Sequence, residues 1–509
     1  MLKTMKRLII TVASLLAVAL MAGSCNAFLE ENFKTALSPK YYFKTEQQIV
    51  AGVNGLYTFV DDLFEGDVEV GTQNFIFLDY LPGYAIRPRS AGSIYLSQAM
   101  SLTVSEENTV IEKLWRSAYT AIENCNGVIA GIESSGVTMD AVTKDKLLGE
   151  AYFMRAYHYF NLVRLWGEVP LKTTVTTDLS DVKIPLSSQE DIYGRIEADL
   201  VHAADLMAAS PWTSTDGRVT RGAVYTLLAK VYLTMAGYPL QKGAEYYAKA
   251  YETAHEVYAS GQFYLFSNYA ALRDPANANA GEHIWMIQCE QQYAGSPVHN
   301  DMLPYPEPEK PISANSAFGG ALAPAQAFYD SYTDGDLRTA EKGYYYTEHE
   351  ATDGSGIVQL DRPYIYKYWD SNCASTGKSG MNYPLLRYAD LLLVMAEAKA
   401  QADGGSTTDR DAVDAYWMVR GRALPEAAKP GSVSFEEVYR ERLWELCFES
   451  QTWFDLLRTR KILNVTTGEV VNLIGYEAPG HNEGCRFEEE DLLFPYPLRE
   501  KRLNPNLTR

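Results

Sequence analysis

Three glutamates recur every four residues near the C-terminal end of the chain, at Glu441, Glu445 and Glu449. An α-helix has 3.6 residues per turn, so this spacing places three carboxyl groups along one helical face. Most glycoside hydrolases act through a pair of carboxyl groups. A helical glycoside hydrolase is therefore the first class of protein to weigh.

Arginines surround these glutamates in the sequence: Arg440, Arg442, Arg458 and Arg460. A nearby positive charge lowers the pKa of a carboxyl group and favours ion pairing over a role as general acid. The seven histidines have no evident nucleophile or metal partner, and no phosphate-binding or dinucleotide-binding motif occurs. We therefore interpret the glutamates as structural ion-pair partners, and we predict no enzyme, no cofactor and no metal site.

A different chemistry is carried by three long segments rich in Gly, Pro and Tyr. They cover about residues 64–104, 281–324 and 362–382. Loops of this length inside a compact protein usually carry function. Sugar rings have apolar C–H faces that stack on aromatic rings, and hydroxyls that pair with amide, carboxylate and guanidinium groups. The loops therefore favour binding of a sugar ligand.

The candidate ligand-binding residues are the aromatic and polar side chains of these loops. They are inferred from location and chemistry, and packing within a loop is the alternative for each tyrosine. The candidates are Tyr80, Tyr84, Arg87, Tyr95, Gln292, Tyr293, Asn300, Tyr305, Asn315, Tyr368 and Trp369.

The elements that must position these loops are helices. Residues 151–171 carry apolar side chains on two neighbouring helical faces, which leaves only Glu150, His158 and Asn161 to meet water. A soluble helix with aromatic residues round most of its girth must be covered by neighbours on more than one side. This helix is therefore expected inside a stack of helices.

Helical patterns follow one another in pairs along the chain. Residues 191–207 follow the helix at 151–171 as its partner, and two further pairs are 219–237 with 244–261 and 382–400 with 407–423. Small residues opposite large aromatic ones are typical of tetratricopeptide-type repeats.

We therefore predict an all-α fold, in which a tetratricopeptide-like helix-pair scaffold is decorated with long ligand-binding loops. The helix pairs are expected at about 110–260 and 382–424, and a C-terminal helix and tail at 434–509.

The N-terminus is typical of a bacterial lipoprotein. Three positive charges precede an apolar run from Leu8 to Met21, and small residues lead to Cys25 in "MAGSC". The run is too short for a comfortable membrane span and fits a secretory signal. We expect a signal peptide at 1–24, lipidation of Cys25 and attachment to a membrane through acyl chains.

The charge of the chain excludes one class of partner. Lys and Arg total 45 against 65 Asp and Glu, which gives a net charge of −20. Such a chain repels phosphate backbones, so nucleic acid is not an expected partner.

Several long stretches, taken in order, resemble the SusD/RagB family. They are "YFMRAYHYFNLVRLWGEVPL", "RVTRGAVYTLLAKVYL", "LLRYADLLLVMAEA", "ERLWELCFESQTWFDLLR" and "LLFPYPLREKRLNPNL". With the lipoprotein signal they are distributed over nearly the whole length of the chain, and we interpret residues 25–509 as one SusD-like binding protein.

The resemblance implies a lipid-anchored protein at the surface of the outer membrane. It would capture oligosaccharides and pass them to a SusC-like TonB-dependent transporter, on which it would sit as a lid. RagB-type relatives capture peptides, so an oligopeptide-binding lid is the alternative. A helical-repeat adaptor that grips only proteins is a third reading, but an adaptor needs a groove on the repeats and not aromatic loops.

Overall fold

The computed structural model describes residues 42–64, 74–88, 94–178, 182–304, 311–314 and 320–508. The predicted lipidation site Cys25 and the candidates Tyr305 and Asn315 lie outside the described residues.

Helices dominate the described part of the chain, and the predicted all-α fold is confirmed. In chain order the helices are α1 (Glu46–Phe64), α2 (Asn74–Tyr80), α3 (Ile94–Met100), α4 (Thr109–Ser134), α5 (Ala141–Trp166), α6 (Gln189–Leu206), α7 (Arg221–Ala236), α8 (Ala244–Ala259), α9 (Val298–Asp301), α10 (Gln326–Tyr329), α11 (Ser371–Thr376), α12 (Tyr388–Ala402), α13 (Arg410–Ala423), α14 (Phe435–Glu445), α15 (Thr452–Thr459) and α16 (Leu498–Leu503).

Short antiparallel strand pairs lie between the helices. The strands are β1 (Ala85–Ile86), β2 (His283–Ile287), β3 (Ala323–Pro324), β4 (Tyr345–Glu350), β5 (Ile357–Ile365), β6 (Tyr383–Arg387), β7 (Ser406–Thr407), β8 (Val433–Ser434), β9 (Lys461–Leu463) and β10 (Val470–Asn472). They pair as β1–β3, β2–β6, β4–β5, β7–β8 and β9–β10.

Side chains that cap the first turn fix where the main helices begin. Asn108 accepts from an N–H of α4, Asp140 from α5, and Ser188 from α6. At α14, Ser434 and Glu437 cap each other's backbone in a capping box. Each cap satisfies N–H groups that a helix start leaves without partners.

The predicted helix pairs pack against each other. Helix α5 lies between α4 and α6, α7 packs on α8, and α12 packs on α13. Helix α8 also packs on α12, which joins the two groups of pairs into one scaffold. Ala250 and Ala254 of α8 are fully buried, because small side chains let neighbouring helices approach closely.

Helix α5 is buried more completely than its sequence indicates. Glu150 and His158, both expected to face water, are fully buried. The Glu150 carboxylate accepts from the Tyr57 hydroxyl at 2.7 Å and from Arg218 at 2.6 Å. Burial lowers the pKa of His158 to about 3, so the ring is neutral. The expectation was wrong for these two residues because other segments of the chain cover the side of α5 on which they lie.

The glutamates at 441, 445 and 449 are buried and ion-paired, as predicted. Glu445 contacts Arg422 at 2.7 Å and Arg387 at 3.1 Å. Burial opposes ionisation of Glu445, but the neighbouring arginines outweigh it and lower its pKa to about 2. We call this group the central charge network; it consists of Glu282, Asp336, Arg338, Lys367, Arg387, Arg420, Arg422, Glu441, Glu445 and Glu449.

The partners of these glutamates are not the arginines that flank them in sequence, and that part of the prediction was wrong. Arg442 pairs with Asp390 at 2.9 Å and with Asp455 at 3.1 Å. Arg458 also binds Asp455, at 2.7 Å. The reason is helical geometry, since residues one position apart point to different faces of a helix. The arginines of the central charge network come instead from distant parts of the chain.

None of the helices in the described part of the chain combines the length and the apolar character needed to cross a membrane.

We expect Glu445→Gln to lower the free energy of unfolding by about 3–5 kcal/mol, because it leaves buried arginines short of a counter-charge. Urea unfolding at pH 7 followed by circular dichroism measures the change. Glu436→Gln is the matched control, since Glu436 is exposed on the same helix, and we expect a change within about 0.5 kcal/mol. Equal effects in the two variants would contradict the prediction.

Candidate functional site

The first and second predicted loops meet in an antiparallel β-pair. Ala85 lies opposite Pro324, and Ile86 opposite Ala323. Beside this pair, the Ala325 N–H donates to the Tyr84 carbonyl at 2.8 Å. Two segments that are far apart in sequence are therefore fixed together by their backbones.

The second and third loops are joined in the same way. The Asp370 N–H donates to Nδ1 of His299 at 3.0 Å, and the Ser296 N–H donates to the Ser379 carbonyl at 3.0 Å. The three loops thus form one assembly, which we call the loop face. Its described segments are 74–88, 94–104, 281–304, 311–314, 320–324 and 362–382.

A separate small hydrophobic core lies under the loop face. It is built on Leu303, Ile312, Ala323, Tyr346, Ala351, Val358, Tyr364, Tyr366, Trp369 and Ala374. Tyr366 and Trp369 stack with ring centroids 5.2 Å apart, and the ring centroid of His349 lies 4.2 Å from that of Trp369. The Arg273 guanidinium covers Tyr366 at 4.5 Å. This row of planar groups gives the loops a rigid base.

Several candidate ligand-binding residues lie in this base or in the main core. Tyr80, Tyr84, Tyr368 and Trp369 are all at most 6% exposed. The Tyr84 hydroxyl donates to the Leu463 carbonyl at 3.0 Å, and the Tyr368 hydroxyl to the Phe448 carbonyl at 2.7 Å. These four rings pack against other parts of the protein and have no face open to solvent. Contact between them and a ligand stays a prediction.

Three further candidates lie half-buried near the surface. Nη1 of Arg87 donates to the Ser97 hydroxyl at 3.2 Å. The Tyr95 carbonyl accepts from Asn108 at 3.2 Å. Sγ of Cys373 lies 3.7 Å from the side-chain oxygen of Asn300. All three contacts place polar groups along the loop face.

Tyr293 differs from every other candidate aromatic residue in the described chain, because it is 91% exposed. It stands on a tight turn in which Glu290 and Ala294 exchange backbone hydrogen bonds of 2.7 and 3.0 Å. The Glu290 carboxylate also accepts from the N–H groups of Gln292 at 2.9 Å and Tyr293 at 3.0 Å. The ring is thus presented to solvent on a backbone that is already ordered.

A cluster of amide side chains near this turn was not predicted from the sequence. Asn279 and Gln288 exchange hydrogen bonds of 2.8 and 3.0 Å, and Asn382 donates to Gln288 at 3.0 Å. Asn279 lies in a polar stretch without a pattern, and Asn382 lies far from it in sequence. No sequence signal could have brought the two together.

Next to these amides a groove runs between residues 272–278 and 380–382. Its apolar surface includes Met286 and Met381, and Asn382 lies at its rim. Amide donors and acceptors beside apolar side chains can hold a molecule that has both hydroxyl groups and C–H faces. Within the described residues no group of three or more His, Cys, Asp or Glu could hold a metal ion.

Comparisons with known proteins identify relatives of the chain. Residues 54–233 match a SusD-like family model described as starch-binding and associating with the outer membrane. Residues 340–509 match the model of the SusD family. SusD-like protein P2 of Formosa agariphila is 26% identical over 522 residues, which cover 94% of this chain and 95% of that protein.

Solved structures agree with these matches. A SusD superfamily protein from Parabacteroides distasonis is 34% identical, with a TM-score of 0.84 over 91% of this chain and 98% of that one. Surface glycan-binding protein A from Bacteroides thetaiotaomicron, in complex with laminarihexaose, has a TM-score of 0.73 at 17% identity, over 92% of this chain and 99% of that one. At that identity the second match shows the fold alone.

The family model that matches residues 54–233 is described as starch-binding. The interpretation of Glu441, Glu445 and Glu449 as structural residues, and of the chain as a protein that is not an enzyme, is therefore confirmed.

Two aspartates near the loop face carry carboxyl groups with raised pKa values. Burial raises the pKa of Asp79 from 3.8 to about 8, against the opposing effect of the Ser450 N–H. Burial also raises the pKa of Asp301 to about 8. A folded state that holds a proton more tightly than the unfolded state is most stable at low pH. The contribution of protonated Asp79 to the free energy of unfolding is fully present below about pH 4, and it is lost as the pH rises to about 8.

We expect Asp79→Asn to be more stable than the native protein at pH 9, because an amide needs no proton to stay neutral. A pKa rise from 3.8 to about 8 corresponds to about 6 kcal/mol, and the gain should vanish below about pH 4. Urea unfolding at a series of pH values measures it, with the exposed Asp334→Asn as control. A gain that does not depend on pH would contradict the assignment.

Proposed function

Because this chain belongs to the SusD family, we propose that it is a glycan-binding protein of the outer membrane. It captures oligosaccharides on the loop face and delivers them to a SusC-like TonB-dependent transporter. The observation that carries the proposal is the exposed ring of Tyr293 on its ordered turn.

An exposed aromatic ring on a fixed backbone is suited to bind the C–H face of a sugar. The turn held by Glu290 needs no rearrangement when the ligand arrives, so binding loses little free energy to ordering of the backbone. The stacked sugar loses contact with water on one face only, so its hydroxyls remain free to find polar partners.

Polar partners lie close to Tyr293 in the same assembly. Gln292 is exposed beside it. Gln291 donates to the Thr376 hydroxyl at 3.4 Å, which ties the turn to the third loop. The amide cluster of Asn279, Gln288 and Asn382 supplies further donors and acceptors. A chain of several sugar units can therefore contact both the ring and the amides.

We expect Tyr293→Ala to weaken oligosaccharide binding by about 1–3 kcal/mol, a range taken from the stacking of nucleic-acid bases on aromatic side chains. Isothermal titration calorimetry with neutral oligosaccharides, laminarihexaose among them, measures the loss. Tyr264→Ala is the matched control, because Tyr264 is also exposed, at 57%, but lies outside the loop face.

Oligopeptides are titrated in parallel. Binding of peptides without binding of any oligosaccharide would favour the RagB-like alternative. Equal oligosaccharide affinity of the Tyr293 and Tyr264 variants would show that the ring does not stack on the ligand.

Delivery across the membrane needs a second protein and an anchor. The acidic chain has no helix in its described part that crosses a membrane, and we propose that acyl chains on Cys25 hold it at the outer membrane. The family resemblance supports a SusC-like barrel as the partner whose mouth the protein covers.

We expect the full chain, extracted from membranes in mild detergent, to co-purify with a TonB-dependent barrel. Cys25→Ala should leave the membrane fraction and lose the barrel from the pull-down, because the tether that keeps the two proteins together is gone. Pull-down followed by mass spectrometry makes the measurement. Recovery of the native protein alone, also after crosslinking in cells, would replace the transporter proposal with a stand-alone binder.

A further inference from the structure

The arginines that are withdrawn from water in the described part of the chain have carboxylate partners. The paired arginines are Arg155, Arg338, Arg387, Arg422, Arg442 and Arg458. Arg164 of α5 is half-buried and, like Arg221 and Arg273, has no carboxylate within ion-pair distance in the described part of the chain. Partial withdrawal of a cation from water without a counter-ion costs free energy.

The Arg164 guanidinium is held in a fixed position. It lies between two aromatic rings, 3.8 Å from the centroid of Phe160 and 3.6 Å from that of Phe454. Nε donates to the Phe160 carbonyl at 3.0 Å, and Nη2 to the side-chain oxygen of Asn161 at 2.6 Å. Nη1 has no acceptor among the described residues. The two N–H groups of Nη1 therefore have no protein acceptor among the described residues, while both planar faces of the guanidinium are covered by aromatic rings.

Arg164 lines two clefts that meet at Phe454. The first cleft is open to solvent and is lined largely by apolar side chains. The wall includes Leu78, Leu114, Ala118, Leu162, Leu165, Trp166, Leu227, Leu385 and Leu386. Lys230 at this cleft already pairs with Asp390 and Gln451. Burial in these surroundings lowers the pKa of Arg164 to about 10.

The second cleft lies on the other side of Phe454 and is lined in part by Arg458 and Arg460. Arg458 pairs with Asp455 at 2.7 Å, and Arg460 lies 3.5 Å from Glu489. Neither cleft has an aspartate or a glutamate in its lining. The whole chain has a net charge of −20. The two clefts differ from it, because their lining contains cationic side chains and no carboxylate.

We propose that these clefts bind a small carboxylate with an apolar body, at a site in the helix scaffold that is separate from the loop face. The carboxylate accepts hydrogen bonds from Nη1 of Arg164, and the apolar body occupies the cleft between Leu114, Ala118 and Leu227. A single negative charge fits, because one guanidinium lacks a counter-charge and a second charge would be left unpaired in apolar surroundings.

Hexanoate is a suitable probe, because it joins one carboxylate to a short alkyl chain. Isothermal titration calorimetry on the full chain should give saturable binding of one hexanoate per protein. Hexan-1-ol, of similar length but without the charge, should bind at least tenfold more weakly. Tyr293→Ala should bind hexanoate as the native protein does, because its ring lies on the loop face.

Two variants test the two halves of the site. Arg164→Gln should lose at least tenfold in hexanoate affinity and keep oligosaccharide binding. Ala118→Leu keeps the cation and fills the apolar cleft, so it should lose hexanoate binding as well, which tests the proposal even when Arg164→Gln does not fold. Absence of saturable binding to the native protein overturns the proposal, and so does unchanged affinity in either folded variant.

Discussion

The central charge network is the constraint on which the rest of the structure depends. Glu445, at the end of α14, is reached by arginines from three separate parts of the chain, at 338, 387 and 422. Each of these groups is almost completely withdrawn from water. A charge buried this way is tolerated only when its partners are in place. The network therefore forms only when the scaffold and the segments that lead to the loops are assembled together.

The loop face inherits its order from this network. Arg387 ends β6, and its partner Glu282 directly precedes β2, so the ion pair closes the base of the strand pair that leads to the turn of Tyr293. Lys367 donates to the carbonyls of Glu445 and Cys447 at 2.9 and 3.1 Å and so ties the third loop to the same point. Loops fixed at their bases lose little entropy when a ligand binds, which favours a receptor whose site exists before its ligand arrives.

Charge also separates the two sites that we propose. The loop face offers amides and an exposed phenol, groups suited to neutral ligands with many hydroxyls. The scaffold clefts offer a cation and an apolar wall, groups suited to a carboxylate. The two sites draw on different elements, Tyr293 on the turn after β2 and Arg164 on α5. A ligand in one site therefore needs no group from the other.

The sequence by itself determined the helical scaffold, because helix periodicity is a local property that neighbouring residues reveal. It also determined that the glutamates at 441, 445 and 449 pair with cations. The tertiary structure alone decided which arginines pair with these glutamates, since the side chains of adjacent residues on a helix point to different faces. It alone decided that Tyr84 and Tyr368 are buried while Tyr293 is exposed. All three tyrosines lie in loops of similar composition, and whether a ring meets solvent depends on what distant segments cover it, which no local pattern encodes.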